Sequence, residues 1–197
     1  MVSRCNQHAV KWIDRWPDWP TPVLVLHGPV GSGKTHLSHV WQATSHANRH
    51  TGGDLSACQE QAGKGGAICL DINGIIEDEE ALLHLMNWVR ENGASMLITA
   101  TQAPNRWEIN LPDLSSRLRA CNVAELGAPD ETILTALLVK LFNDRQISVT
   151  ESVIRYLLPR LERTFQAITE AVDILDKAAM SEGRAVTVPL ARKVLPL

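Results

Sequence analysis

The sequence predicts an α/β fold: a parallel sheet covered on both faces by helices, followed by a small all-helical lid. Three observations predict it. Short apolar runs at residues 23–26, 67–71 and 95–101 recur with helical spacing between them, the pattern of buried parallel strands joined by crossover helices. The octapeptide GPVGSGKT at residues 28–35 follows the first run directly and fits the phosphate-binding loop pattern. Beyond Gly127-Ala128-Pro129 only helical spacing remains. The organisation implied is an N-terminal arm over residues 1–20, an α/β nucleotide-binding base over 21–127 and a helical lid over 128–197. A chain of 197 residues, 45% of them hydrophobic, is ample for such a core.

The arm holds Trp12, Trp16 and Trp19 in WIDRWPDWP, where two Trp-Pro steps favour extended or turn geometry. Three tryptophans need a surface to lie on: the domain's own sheet, or else a partner or an adenine ring. In the loop, glycines let backbone N–H groups turn inward around phosphates, Lys34 supplies a point charge, and the Thr35 hydroxyl can complete a Mg²⁺ shell. Gly28, Pro29, Val30, Gly31, Ser32, Gly33, Lys34, Thr35 and His36 are therefore candidate ligands of a purine nucleotide, ATP or ADP. Residues 36–41 continue with helical spacing. The polar stretch 45–66, with Gly52-Gly53 and Gly63-Lys64-Gly65-Gly66, reads as a weak strand near Arg49 and a short helix.

Ala67-Ile68-Cys69-Leu70-Asp71 is the next strand, ending in an acid. Glu77-Asp78-Glu79-Glu80 then places negative charge on the first turn of a helix bearing Ala81, Leu82, Leu85, Met86 and Val89, where the helix dipole favours it. After the strand at residues 95–101, Leu111, Leu114 and Leu118 of LPDLSSRLRA would anchor a helix to the base. In the lid, Leu134, Leu137, Leu138 and Leu141 mark a helix over 131–143, and Thr150 can cap a short helix holding Val153, Ile154, Leu157 and Leu158. Leu161, Phe165, Ile168, Val172, Leu175 and Ala179 alternate steps of four and three, which makes one continuous apolar face. Gly183 is its expected stop, and Thr187-Val188-Pro189 leads into a terminal helix.

Asp71, at the end of its strand beside a phosphate loop, is placed to reach the Mg²⁺ shell as a Walker B acid. The next residue is Ile72, where many motor-type ATPases use a second acid to orient water; Asn73 and Glu77 are close in sequence but out of register. Binding is thus expected to outlast hydrolysis. Thr101 could place a hydroxyl near the γ-phosphate, and Arg117 or Arg119 could act as an arginine finger on a neighbouring subunit's nucleotide. Arg163 opens the long lid helix, where a cation could contact phosphate or form a surface salt bridge. His36 and His39 lie three apart, but no Cys or acid completes a metal set.

The net charge of −3 argues against broad nucleic-acid binding, so direct DNA reading is disfavoured. No apolar run approaches membrane-spanning length and the first ten residues have no signal core, so a cytoplasmic protein with reduced, structural cysteines is expected.

The order of parts resembles the AAA+ initiator clade, the DnaA-related proteins. GPVGSGKTHL is similar to their phosphate loop, LPDLSSRLRA to their arginine-finger box and LERTFQAITEAVDIL to their lid helix with the second sensor arginine. AVKWIDRWPDWP, DEEALLHLMNWVRENGASMLITA and VKLFNDRQ resemble Hda-type regulators of alphaproteobacterial character. The resemblance implies a AAA+ P-loop base and lid without a DNA-binding domain, holding ATP or ADP and Mg²⁺. It also implies that the protein works with the DNA polymerase sliding clamp to promote hydrolysis of DnaA-bound ATP and prevent re-initiation. On this resemblance Lys34, Thr35 and Asp71 are phosphate and Mg²⁺ ligands, Thr101 the first sensor, Arg117 the finger acting in trans and Arg163 the second sensor. Such proteins usually begin with a Gln-Leu-rich clamp-binding peptide; residues 1–10 contain none, so the expectation is a chain that starts late or has been trimmed. A homo-oligomer is a further open expectation. The competing readings are a small P-loop ATPase or phosphotransferase acting on a metabolite, and a loader-type adaptor that binds replication proteins without stimulating hydrolysis.

Overall fold

The computed structural model describes residues 2–51, 55–72 and 76–195. Residues 6–127 form one compact unit, and residues 2–5 with 128–195 form another.

In the first unit, the base, five parallel strands are present among the described residues: β1 (Val23–His27), β2 (Asn48–Thr51), β3 (Ala67–Ile72), β4 (Ser95–Ala100) and β5 (Asn122–Glu125), in the order β2-β3-β4-β1-β5. The helices of the base are α1 (Gln7–Asp14), α2 (Lys34–Ser45), α3 (Ser56–Ala62), α4 (Glu79–Glu91) and α5 (Pro112–Arg119), with a 3-10 turn at Pro104–Arg106. Strand side chains alternate between two cores, as the period of two requires. Val23, Val25, Ile68, Leu70, Ile72, Met96 and Ile98 meet Leu82, Leu85 and Val89 of α4 and Leu114 and Leu118 of α5 on one face. Leu24, Leu26, Ala67, Cys69 and Leu97 meet Ala9 and Ile13 of α1 and Leu37 and Trp41 of α2 on the other. Both faces are covered, which is why the central strands read as unbroken apolar runs.

The N-terminal tryptophans lie on the base itself. Trp19 stacks on Trp41 at 5.6 Å between ring centroids, Trp16 meets Trp41 edge-on at 6.1 Å, and Trp19 Nε1 donates to the Trp12 carbonyl at 2.7 Å. Residues 7–14, ahead of the Trp-Pro steps, form a helix not anticipated from the sequence. Ala9 and Ile13, four apart, bury one face of that helix, and turn geometry is confined to the Trp-Pro steps that follow. β5 is an element that the apolar pattern does not reveal. It is four residues long and only Ala124 is buried.

The second unit, the lid, consists of α6 (Glu131–Asp144), α7 (Glu151–Leu157), α8 (Phe165–Glu182) and α9 (Val188–Val194) around Leu138, Phe142, Leu157, Ile168, Val172 and Leu175, with Cys5 packed against this core. Caps set its boundaries. Asp130 accepts from the Ile133 N–H at 2.9 Å, Thr164 from Ala167 at 3.1 Å and Thr187 from Leu190 at 3.4 Å, each satisfying a donor that the helix start leaves unpaired. Gly183 ends α8 at φ 60°, a left-handed turn that glycine adopts without a Cβ penalty. Arg145, following α6, ion-pairs with Asp173 and Asp176 of α8. Two expectations are corrected here. Thr150 holds the N-cap position of α7, but its hydroxyl pairs with the Ser152 hydroxyl at 2.7 Å and bonds no backbone N–H. Arg163 precedes α8 and does not open it, because Thr164 takes the cap.

Candidate functional site

The phosphate loop runs from the end of β1 into α2, and its backbone explains its glycines. A Cβ on Gly28 would lie 2.2 Å from the Leu126 carbonyl oxygen and 2.9 Å from Ser32 Oγ, so no side chain fits there. Gly31 and Gly33 have φ of 75° and 96°, in the left-handed region, with Gly33 at the N-cap of α2. That N-cap offers no side-chain hydrogen bond to α2 and the first turn holds no acid, in contrast to α4, where Asp78 accepts from the Ala81 N–H at 2.8 Å. An uncapped twelve-residue helix leaves its positive end available to an anion. The Ser32 hydroxyl, in a residue 3% exposed, has no hydrogen-bond partner among the described residues, a cost that a ligand acceptor would relieve. Lys34 Nζ folds back to donate to the carbonyls of Gly28 at 2.7 Å and Pro29 at 2.9 Å. Burial lowers its pKa and Asp71 partly offsets that shift. Pro29 and Val30 are exposed at the tip, and His36 on the first turn of α2 is exposed.

Asp71 projects from β3 on the α2 side of the sheet, the side of Cys69 and Ala67. Both of its oxygens have partners: Oδ1 accepts from Thr99 Oγ1 at 2.9 Å, and Oδ2 from Arg49 Nη2 at 2.6 Å. Thr99 stands opposite Asp71 in the β3–β4 register and is 3% exposed. Ile72 points the other way, into the core formed with α4 and α5, where it can neither align a water nor accept a proton. Asn73 lies outside the described residues. Glu77 is exposed, and Thr101 follows the end of β4 half-buried. Thr35 and Asp71 offer a hydroxyl and a carboxylate, the hard oxygen donors that Mg²⁺ takes while keeping several waters and phosphate oxygens. The orphaned Ser32 hydroxyl, the uncapped α2 and the desolvated Lys34 suit a phosphate in the same way. Among the described residues no three His, Cys, Asp or Glu side chains converge as a further metal set, His36 and His39 included.

Three contributors were not apparent as site residues in the sequence. Arg49 and Thr99 reach Asp71 only through the strand order. His27 ends β1 beside the loop, with its pKa lowered by burial and by Arg106 and Lys34, while Glu125 on neighbouring β5 opposes the shift. The signal that could have found Thr99 is a threonine two residues before the end of an otherwise apolar run; a polar edge strand gives no comparable hint for Arg49.

Arg117 lies on α5, half-buried, and makes no ion pair among the described residues; Arg119 is exposed. The start of α5 is gripped by Glu79 of α4, whose carboxylate accepts from the backbone N–H of Asn110 at 2.9 Å and of Leu111 at 2.6 Å. Within the lid, Arg163 is exposed and lines a hollow of about 190 Å³ with Glu131, Leu134, Arg155, Leu158 and Pro159. Arg163 makes no ion pair among the described residues. Burial pushes the thiols of Cys69 and Cys121 up to about 11, which keeps them protonated. No helix among the described residues is long and apolar enough to cross a membrane.

Residues 130–195 match the model of the Hda lid domain family. An uncharacterized protein of Haemophilus influenzae is 30% identical over 195 residues, covering 91% of this chain and 84% of that one. Domain III of the Thermotoga maritima replication initiation protein DnaA superposes with a TM-score of 0.79 at 20% identity, over 98% of this chain and 92% of that one. AMPPCP-bound DnaA from Aquifex aeolicus gives a TM-score of 0.71 at 17% identity over 93% of this chain, which spans 65% of that chain, just under two thirds. The chain belongs to the same family as that Haemophilus influenzae protein, carries an Hda-type lid over residues 130–195 and shares the fold of DnaA domain III.

Proposed function

We propose that this chain holds ATP or ADP with Mg²⁺ at its phosphate loop and, together with the sliding clamp, promotes hydrolysis of DnaA-bound ATP in the cytoplasm, restraining initiation. Residues 28–36 cradle the phosphates, Lys34 meets their charge, Thr35 and Asp71 serve the metal, and Thr101 and Arg163 report the nucleotide state. Mg²⁺, when bound, supplies charge neutralisation at the phosphates. The solved relative carrying AMPPCP supports an adenine nucleotide in this fold.

The observation that carries the reading is the placement of Arg117. α5, which bears it, packs on the sheet face opposite α2, and its guanidinium has no carboxylate partner among the described residues. A cation set on the far face from its own phosphate loop suits service to a neighbour's nucleotide. The chain's own site, with Ile72 buried after Asp71, lacks the second acid at that position. Stabilising transition-state charge is what a finger arginine supplies, on the order of 10³-fold or more in rate. The test is turnover of ATP on DnaA with clamp and DNA present. Arg117→Ala should abolish the stimulation while leaving ADP binding by this chain unchanged, and an undiminished rate would rule out the finger assignment.

A further inference from the structure

We propose that Arg49 stands in for part of the cation charge at the phosphate loop, so that this site holds a nucleoside di- or triphosphate with little dependence on Mg²⁺. The inference rests on the nucleotide-site reading above and concerns how that site is charged.

Asp71 is the carboxylate on the phosphate-loop side of the sheet best placed to serve a metal shell, and it is already engaged. Arg49 Nη2 lies 2.6 Å from Oδ2, with the two side chains 33% and 16% exposed, and Thr99 Oγ1 lies 2.9 Å from Oδ1. A charge-assisted pair of that length is among the stronger hydrogen-bonded contacts, and partial burial weakens its screening by water. Arg49 reaches Asp71 by register. It stands opposite Cys69 in the β2–β3 ladder, so its side chain shares the face of Cys69 and Asp71. Its positive charge also acts on the Cys69 thiol.

Without Arg49, the bare carboxylate would oppose the phosphates, and Mg²⁺ would gain by neutralising both. With Arg49 in place, Asp71 is neutralised in advance by a group that cannot dissociate or deprotonate. The metal then adds less. A carboxylate offers about four acceptor positions, so the pair leaves room for hydrogen bonds from metal-bound water but removes much of the net charge that attracts the ion.

The experiment measures ADP affinity by calorimetry on the full chain, with Mg²⁺ in excess and with EDTA, and compares the two dissociation constants. For the wild type we expect the EDTA value to exceed the Mg²⁺ value by less than about threefold, because Asp71 is already neutralised. Arg49→Met should raise that ratio to about tenfold or more, as the uncovered carboxylate repels phosphate until Mg²⁺ arrives. Arg49→Lys keeps a cation at the position and should stay near the wild type, which also guards against reading a misfolded methionine variant as a result. Adding Asp71→Asn to Arg49→Met should return the ratio to the wild-type range.

If the wild type binds ADP but already depends on Mg²⁺ by about tenfold, the nucleotide site stands and the role of Arg49 is overturned. An unchanged ratio in Arg49→Met overturns it as well. So does a loss of affinity that persists equally in Mg²⁺ and in the double variant, because Arg49 would then be touching phosphate directly. If the wild type fails to bind ADP under either condition, the nucleotide-site reading falls, and this inference falls with it.

Discussion

In the base, Arg49, Asp71 and Thr99 come from three strands, and His27 and Leu126 from the ends of two others, and each set meets only because the sheet orders its strands as neighbours. In the lid, by contrast, three of the helices are begun by a side chain that bonds an N–H three residues ahead, and α8 is stopped by a glycine immediately after its last residue. One region is assembled from distant parts of the sequence and the other largely from adjacent ones. The difference teaches where a change will be felt. A substitution in the base should disturb residues far away in sequence, and one at a lid cap should disturb its own helix.

Emptying a core should be costly in both regions, and equality here marks the limit of the contrast. Phe142→Ala in the lid removes a side chain with no exposed surface and is expected to cost about 3–5 kcal/mol, with Leu97→Ala in the base at about 2–5 kcal/mol; urea unfolding of each variant measures both. A tolerated Phe142→Ala would show that the lid core is loosely specified and would break the comparison at its base. Gly28→Ala comes next, at about 2–3 kcal/mol, because its new Cβ meets backbone that cannot rotate away. Amide exchange should rise at β5 as well as at the loop, and a purely local response would contradict the long-range account.

Thr164→Ala should cost about 1 kcal/mol, the value of a lost N-cap, with faster exchange confined to the first turn of α8. The smallest effect is expected at Glu79, whose carboxyl is held below the usual range by the N–H groups of Asn110 and Leu111. A lowered folded-state pKa stabilises fully above the ordinary glutamate value and is lost as pH falls through the lowered one. Glu79→Gln should therefore narrow the stability gap between wild type and variant only on the acid side, in denaturant melts run from neutral pH downward.

The same contrast governs what could be read from the residues alone. The phosphate loop and Asp71 are legible because their chemistry is written in contiguous residues: glycines at fixed spacing, and an acid closing an apolar run. The long lid helix and its stop at Gly183 are legible for the same reason. Arg49 and Thr99 are not, since nothing local to either announces Asp71 as a partner; 22 and 28 residues separate them from it, and strand order alone closes the gap. β5 escapes notice because an edge strand with one buried residue leaves almost no apolar pattern. α1 is obscured by the neighbouring Trp-Pro steps, which draw attention to turn geometry, although Ala9 and Ile13 carry a helical repeat. The hydroxyl of Thr150 illustrates a smaller gap: sequence marks the cap position, but Ser152 two residues on competes for the same hydroxyl.

The contact between Gly28 and the carbonyl of Leu126 also bears on how such a chain can drift in sequence. The Leu126 N–H donates to the His27 carbonyl at 2.7 Å while its own carbonyl closes over Gly28, so two backbone segments almost a hundred residues apart form one corner. No exchange of side chain at residue 126 can make space for a side chain at residue 28, because the obstruction is main chain. Paired substitutions therefore offer no escape at this corner, and insertions or deletions that shift the end of β5 would be excluded together with replacements of the glycine.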